Sequence, residues 1–290
     1  MTKRLKFWLI SIICIVLLSM TIVGVVLVSD NDIGVEDGFY VRRIYGYIGT
    51  INSTEKQFPL TIYFVGKADE KLLDYSENTM FLGDDIRITD FEIKDKNKDG
   101  VITVYYCWLH FKILSESCRN YSELIIENNS THAKLRLNIG EITLENVNGI
   151  ENLIGHGASS NFIRFDEFEN KNGEYSDFHK SWEYLTDIGK KEPVIVQDVR
   201  FSNPRISNIT SNFPKTCVKE SNFGVEEKIV FDVNIEKKDM LFISPIIQYI
   251  DVDGQMKYSH VIQPTKYEKR LTYDETVEYL KELSSVQGGI

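Results

Sequence analysis

A chain of 290 residues with a formal net charge of −10, 43 acidic side chains against 33 lysines and arginines, repels phosphate backbones and anionic headgroups. That excludes nucleic-acid binding and peripheral docking on an acidic bilayer as expected roles. Hydrophobic residues at 42% suffice for a core, and no low-complexity tail or Ser/Pro stalk points to disorder.

Residues 1–6 carry Lys3, Arg4 and Lys6, and Phe7–Val28 then runs for 22 residues without a charge. At a helical rise of ~1.5 Å per residue this run spans ~33 Å, enough to cross a hydrocarbon core of ~30 Å. It exceeds the ~7–15-residue apolar core of a cleaved signal, and no small-residue cleavage site follows it. A lipoprotein would need a cysteine at its outer end, whereas Cys14 lies in its middle. The run therefore reads as an uncleaved anchor. Cations precede it and Asp30, Asp32, Glu36 and Asp37 follow, which places residues 1–6 in the cytoplasm and the bulk of the chain outside. Without the three leading cations the remainder carries about −13, a soluble, acidic exported body.

Beyond the anchor the sequence reads as mainly β. The expected region 1 covers residues 36–148, with strands at Phe39–Tyr47, Leu60–Val65, Ile86–Ile93, Val101–Ile113, Ser122–Glu127 and Ala133–Leu144. Lys134–Ile139 alternates apolar and polar residues one for one, the mark of a half-buried strand. Val101–Ile113 is apolar on both faces and suits a central strand covered on two sides. Ala68–Tyr75 suits a helical turn. Residues 149–192 read as loop plus a connecting helix at Asp177–Ile188, where Phe178, Trp182, Leu185 and Ile188 form one apolar stripe. Region 2 covers 193–290, with strands at Val194–Phe201, Lys228–Ile235, Met240–Val252 and Gln255–Ile262. Asp253-Gly254 joins the last two as a hairpin, and Pro245 marks an edge or a bulge. Thr272-Tyr273-Asp274-Glu275 is a capping box opening a helix over Tyr273–Ser284 that packs through Tyr273, Val277, Leu280 and Leu283. The fold expected is one or two antiparallel β-sandwich-like, immunoglobulin-like extracellular regions with two short helices.

Chemistry-bearing patterns are few. Asp95-Lys96-Asn97-Lys98-Asp99-Gly100 matches the opening of a calcium loop, with Asp95, Asn97 and Asp99 as ligands. The twelfth position, where a bidentate glutamate closes such a site, is Tyr106, so the match is half a loop and an ordinary hairpin turn competes with it. No other cofactor is implied. Cys107 and Cys118 lie close enough in sequence to bridge outside the cell; the other reading is that the cysteines are small buried hydrophobes. His156 among glycines and serines, beside Asp166, Glu167, Glu169 and Glu174, raises a hydrolase site. The histidines at 110, 132, 156, 179 and 260 show no metal-ligand spacing.

The leading functional expectation is a single-pass envelope protein whose ectodomain binds another protein or a cell-wall component. A membrane-tethered hydrolase and an accessory subunit of a membrane complex are the rivals.

Overall fold

A computed structural model describes residues 33–66, 70–151, 162–165, 181–188, 192–217, 225–260 and 264–287. The anchor at 7–28 and the hydrolase candidates His156, Asp166, Glu167, Glu169 and Glu174 lie outside the described residues. Among the described residues no helix is long and apolar enough to cross a membrane.

The first half of the chain forms β1 (Gly38–Val41), β2 (Ile44–Ile51), β3 (Lys56–Val65), a 3-10 turn (Glu70–Leu73), β4 (Asn78–Phe81), β5 (Ile86–Asp99), β6 (Ile102–Ile113), β7 (Ser117–Asn128), β8 (Lys134–Val147) and β9 (Ile150–Glu151). Then come β10 (Phe162–Phe165), β11 (Ser181–Ile188), β12 (Val194–Arg200), β13 (Ile206–Thr210), β14 (Lys215–Cys217), β15 (Val225–Val233), β16 (Met240–Ser244), β17 (Ile246–Ile250), β18 (Met256–His260) and β19 (Thr265–Glu268). Helix α1 (Tyr273–Gln287) closes the series.

These strands build four sheets. The first has the order β1-β3-β6-β5, the second β19-β16-β2-β8-β7-β4, the third β14-β12-β17-β18-β9 and the fourth β10-β11-β15-β13. The first and second enclose one core, in which Phe58, Leu60, Leu109 and Phe111 meet Leu124, Leu137, Ile139 and Leu144. A second core lies between the third and fourth sheets, around Val196, Phe231 and Tyr249. It is roofed by the far side of the second sheet. In β2, Ile44 and Ile48 face the first core while Tyr47 faces the second; in β16, Met240 and Phe242 face the first while Leu241 and Ile243 face the second. Both strands are buried along their whole length.

That double burial explains a departure from the all-antiparallel expectation. β16, β2 and β8 run parallel side by side, as does the short β9–β18 pair. Parallel strands covered on both faces carry near-continuous apolar sequence, and MLFIS in β16 is such a run. Gly46 permits the close approach: its φ is +147°, and a Cβ there would stand 1.8 Å from the carbonyl oxygen of Phe242. Pro245 breaks the expected Met240–Val252 strand in two. β16 pairs in the second sheet and β17 in the third, so the proline stands at a corner where the chain changes sheets.

The expected Phe39–Tyr47 strand is likewise divided, because Arg42 and Arg43 carry the chain from the first sheet to the second. The expected helix at Asp177–Ile188 is corrected. Residues 181–188 are strand β11, paired with β15 at every residue, and 177–180 lie outside the described residues. Long-range pairing of Trp, Tyr, Thr and Ile outweighed the local apolar stripe. Of the two cysteine readings left open, the Cys107–Cys118 bridge is not formed. Both thiols are free, Cys107 on β6 inside the first core and Cys118 exposed on β7 of the other sheet. Burial pushes the Cys107 thiol up to about 12.

Helix α1 starts where the capping box expected it. The Thr272 N–H donates to Glu275 Oε2 at 2.9 Å, and the Glu275 N–H donates to Thr272 Oγ1 at 3.3 Å. It covers the outer face of the first sheet through Tyr279, Leu280 and Leu283, against Tyr40, Tyr63, Val65 and Ile102. Tyr273, expected in that face, is instead exposed, and Tyr279 replaces it as the anchor. Its hydroxyl donates to Asp239 Oδ1 at 2.8 Å and accepts the Arg43 N–H at 3.0 Å. Burial, with Asp239 alongside, raises the Tyr279 hydroxyl far above its ordinary value.

Two outcomes follow. Lys269, with the Thr272 N–H, holds the Glu275 carboxyl down from 4.5 to about 2. A depressed carboxyl contributes stability above its unfolded value and loses it as pH falls through the folded one. The denaturation midpoint of the native chain should therefore exceed that of Glu275→Gln near neutrality, with the gap closing between 4.5 and about 2. In native alkylation with peptide mapping, Cys118 should be labelled and Cys107 and Cys217 protected until the chain unfolds; a Cys107–Cys118 linked peptide would contradict the free thiols.

Candidate binding groove

Alternation decides what β3 and β6 present outside the first core. Phe58, Leu60 and Ile62 point inward, so Thr61 and Tyr63 point outward; Tyr105, Cys107 and Leu109 point inward, so Val104, Tyr106 and Trp108 point outward. On the edge strand β5 the same phase is kept by two bulges. Asp90 and Glu92 oppose His110 and Trp108, the register slips between Ile93 and Asp95, and Asp95, Asn97 and Asp99 then oppose Tyr106, Val104 and Ile102. Without that slip Lys94 would face Tyr106 and the three acceptors would turn to the other side.

The result is a groove of about 710 Å³ on the outer face of the first sheet. Its floor is Thr61, Tyr63, Val104 and Tyr106; the far end of β5 forms one wall, and Lys266 with Glu268–Leu271, which lead into α1, forms the other. Gly100 turns the β5–β6 hairpin at φ +56°, and a Cβ there would lie 3.1 Å from the Tyr273 hydroxyl, so the hairpin tip leans on the start of the helix.

Arg42 fixes the second wall from below. It is 3% exposed, and each of its three side-chain nitrogens donates a hydrogen bond. Nε donates to the Lys238 carbonyl at 2.6 Å, Nη2 to the Lys269 carbonyl at 2.7 Å and Nη1 to Glu268 Oε1 at 3.2 Å. Glu268 also accepts from Thr61 at 3.1 Å and from Lys266 at 2.6 Å. Lys269 is paired with Glu275. Burial beneath this network raises the Tyr63 hydroxyl to about 12, with Arg42 opposing. Three exposed charges lining the groove have no ion pair or side-chain hydrogen bond with any described residue: Lys98 and Asp99 on the β5 wall and Arg270 on the opposite one. Tyr106 on the floor keeps 38% of its surface exposed.

The expected calcium ligands thus share one groove wall, though not as a coordinating loop. Residues 95–99 are strand, and at ~3.3 Å per residue Asp95 and Asp99 stand ~13 Å apart along it, too far to meet on one ion whose ligand distances are ~2.4 Å. Asp95 Oδ1 accepts the Lys96 N–H at 2.8 Å, and Oδ2 lies 3.5 Å from the Asn97 amide nitrogen. Among the described residues no three His, Cys, Asp or Glu side chains are placed to hold a metal. The sequence reading passed over Arg42, Glu268, Arg270 and Tyr106. The signal for Arg42 was a pair of arginines inside an apolar run; the others are joined to the groove only by folding.

Other polar clusters tie the sandwiches together. Tyr47, buried in the second core, donates to Glu145, which meets Arg200 at 2.5 Å. Asn203 donates to the Gly46 and Glu141 carbonyls at 2.8 and 3.0 Å. The described histidines are paired singly, His110 with Glu55 at 3.8 Å, His132 with Glu127 at 3.2 Å and His260 with Glu151 at 2.5 Å.

No family model and no curated protein matches the chain. Among solved structures it is similar to a marsupial T cell receptor at 9% identity, over 77% of this chain and 100% of that one, with a TM-score of 0.21. The extracellular cadherin domains 1–5 of protocadherin gamma B2 align at 10% identity over 76% of this chain and 58% of that one, with a TM-score of 0.20. A protein described as BspA_C_WT aligns at 7% identity, over 77% of this chain and 96% of that one, with a TM-score of 0.18. TM-scores of this size do not amount to a common fold, and the groove stands on its own geometry.

Replacing Arg42 with Met should lower stability by about 3–5 kcal/mol, because Glu268 loses its partner inside the fold and two carbonyls lose their donors. Arg42→Lys should recover less than half of the loss, since an ammonium on a flexible stem does not reach three fixed acceptors in one plane. Urea denaturation of both variants checks this.

Proposed function

We propose that the chain is a single-pass, extracytoplasmic recognition protein, held in the membrane by residues 7–28 with its N-terminus inside. Its binding surface is the groove on the outer face of the first sheet, and its partner is a protein or a cell-wall component. The anchor reading is supported by the uncharged 22-residue run and the basic residues before it. The recognition reading is carried by one observation. A concave surface with an exposed tyrosine on its floor keeps an unpaired carboxylate on one wall and an unpaired guanidinium on the other. Exposed charges left without partners beside a rigid aromatic platform are what a polar ligand exploits.

The two sandwiches act in this reading as a rigid support, immunoglobulin-like in their layering. The groove sits opposite the shared second sheet and is stiffened by the Arg42 network and by α1. No geometry favours the hydrolase reading over this one, since its candidate residues lie outside the described part of the chain.

In intact cells, protease added from outside should remove a C-terminal epitope while the protein stays in the membrane fraction. Retention on isolated envelope material should fall about tenfold for Tyr106→Ala, the change expected from truncating an exposed aromatic anchor. A protected C-terminus, or full retention of the variant, would refute the proposal.

A further inference from the structure

We infer that the groove takes a short zwitterionic peptide, its ammonium against Asp99 and its carboxylate against Arg270. The inference rests on the recognition reading above and adds the chemical class of the ligand.

The argument is one of charges already committed. Of the cations on the second wall, Lys266 is tied to Glu268 and Lys269 to Glu275. Arg42 beneath them is 3% exposed and is held by Glu268 and by the Lys238 and Lys269 carbonyls. Glu268 is the shared acceptor of Arg42, Lys266 and Thr61. What the second wall has left for a ligand is Arg270. On the first wall, Asp95 accepts the Lys96 N–H and lies beside the Asn97 amide, so Asp99 is the carboxylate there whose oxygens have no hydrogen-bond partner. Lys98 also borders the groove, but it pairs in register with Thr103, out of phase with Asp99, which pairs with Ile102 on the outward face. Across its width the groove is therefore bipolar, with the Asp99 carboxylate on one wall and the Arg270 guanidinium on the other.

Size selects among ligands with both charges. The floor from β5 across β6 to β3 covers two inter-strand spacings, ~10 Å. An extended chain advances ~3.3–3.6 Å per residue, so a tripeptide carries its two end charges about that far apart. The exposed ring of Tyr106 lies further along the same floor, on the rung of Asp95. A guanidinium is well matched to a terminal carboxylate, because its planar fork donates two parallel hydrogen bonds. A neutral sugar would use the tyrosine but neither free charge.

The test is calorimetric titration of the detergent-solubilised full chain with trialanine, N-acetyl-trialanine and trialanine amide. Free trialanine should bind, and blocking either end should weaken it about tenfold, the loss expected for one charge-assisted contact. Asp99→Asn should abolish the sensitivity to acetylation alone, and Arg270→Gln the sensitivity to amidation alone. Both side chains are exposed, so both variants should melt with the native chain. Equal affinity for all three peptides, no binding of trialanine, or preference for an uncharged oligosaccharide insensitive to both variants would each overturn the inference. If trialanine fails while envelope material is still retained in a Tyr106-dependent way, the peptide assignment falls and the recognition reading survives.

Discussion

Everything in this architecture depends on the second sheet having no solvent face where β2 and β16 pass. A single layer of backbone separates two cores, and each residue of those strands is assigned to one core or the other by parity alone. Slipping either strand by one residue would exchange Phe242 with Leu241 and Ile44 with Tyr45, moving every side chain into a core shaped for another. The close contact at Gly46 and Phe242 sets the same register from the backbone side, because any Cβ would collide with a carbonyl. The two sandwiches consequently cannot be treated as beads on a string. The later strands β16 and β19 complete the earlier sheet, and α1, the last element, seals the outside of the first sheet.

The groove inherits this interlocking. One of its walls is the end of a hairpin formed within the first half of the chain, and the other is the segment between β19 and α1. They are held in opposition by long-range contacts from Arg42 to Lys238, Glu268 and Lys269 and from Tyr279 to Asp239 and Arg43. Desolvation raises the buried Asp239 carboxyl above its ordinary value, so the Tyr279 hydroxyl and the Arg43 cation offset a cost as well as supplying a link. A buried charge network of this kind contributes more to fixing one arrangement than to net stability. Here it fixes the width of the groove.

How much of this was legible in the sequence follows from how local each cause is. Strand β8 could be read because alternation is written into a few consecutive residues, and β6 because its apolar run is equally local. The capping box at Thr272 and Glu275 could be read because both halves lie within one turn. The turn at Asp253-Gly254 is equally local, with Gly254 at φ +75° in a loop where the Asp251 N–H donates to the Gln255 carbonyl and the Gly254 N–H to the Asp251 carbonyl. Pro245 announced a break, but that the chain would change sheets there depends on which strands it meets on either side. The Trp182–Leu185–Ile188 spacing fitted a helix, and eight residues of pairing to β15 made it a strand; no local feature carries that information. The groove belongs to the same class, since Asp99 and Arg270 are 171 residues apart in the sequence.

The Asp95–Gly100 stretch shows how one set of residues answers several physical demands. As the free end of an edge strand it exposes a ladder of unpaired backbone groups that invites pairing with another chain. Alternating Lys94, Asp95, Lys96, Lys98 and Asp99 protect that edge, because docking a further strand would bury or oppose their charges. The bulge at Lys94 gives these residues a direction, turning the acceptors outward over the tyrosine floor. The pattern that reads as half of a calcium loop is thus a charged strand edge whose acceptors line a groove wall. Its carboxylates are spaced along a ribbon rather than gathered around a point, and a ribbon of acceptors facing Arg270 across two strands suits an extended ligand better than a single ion.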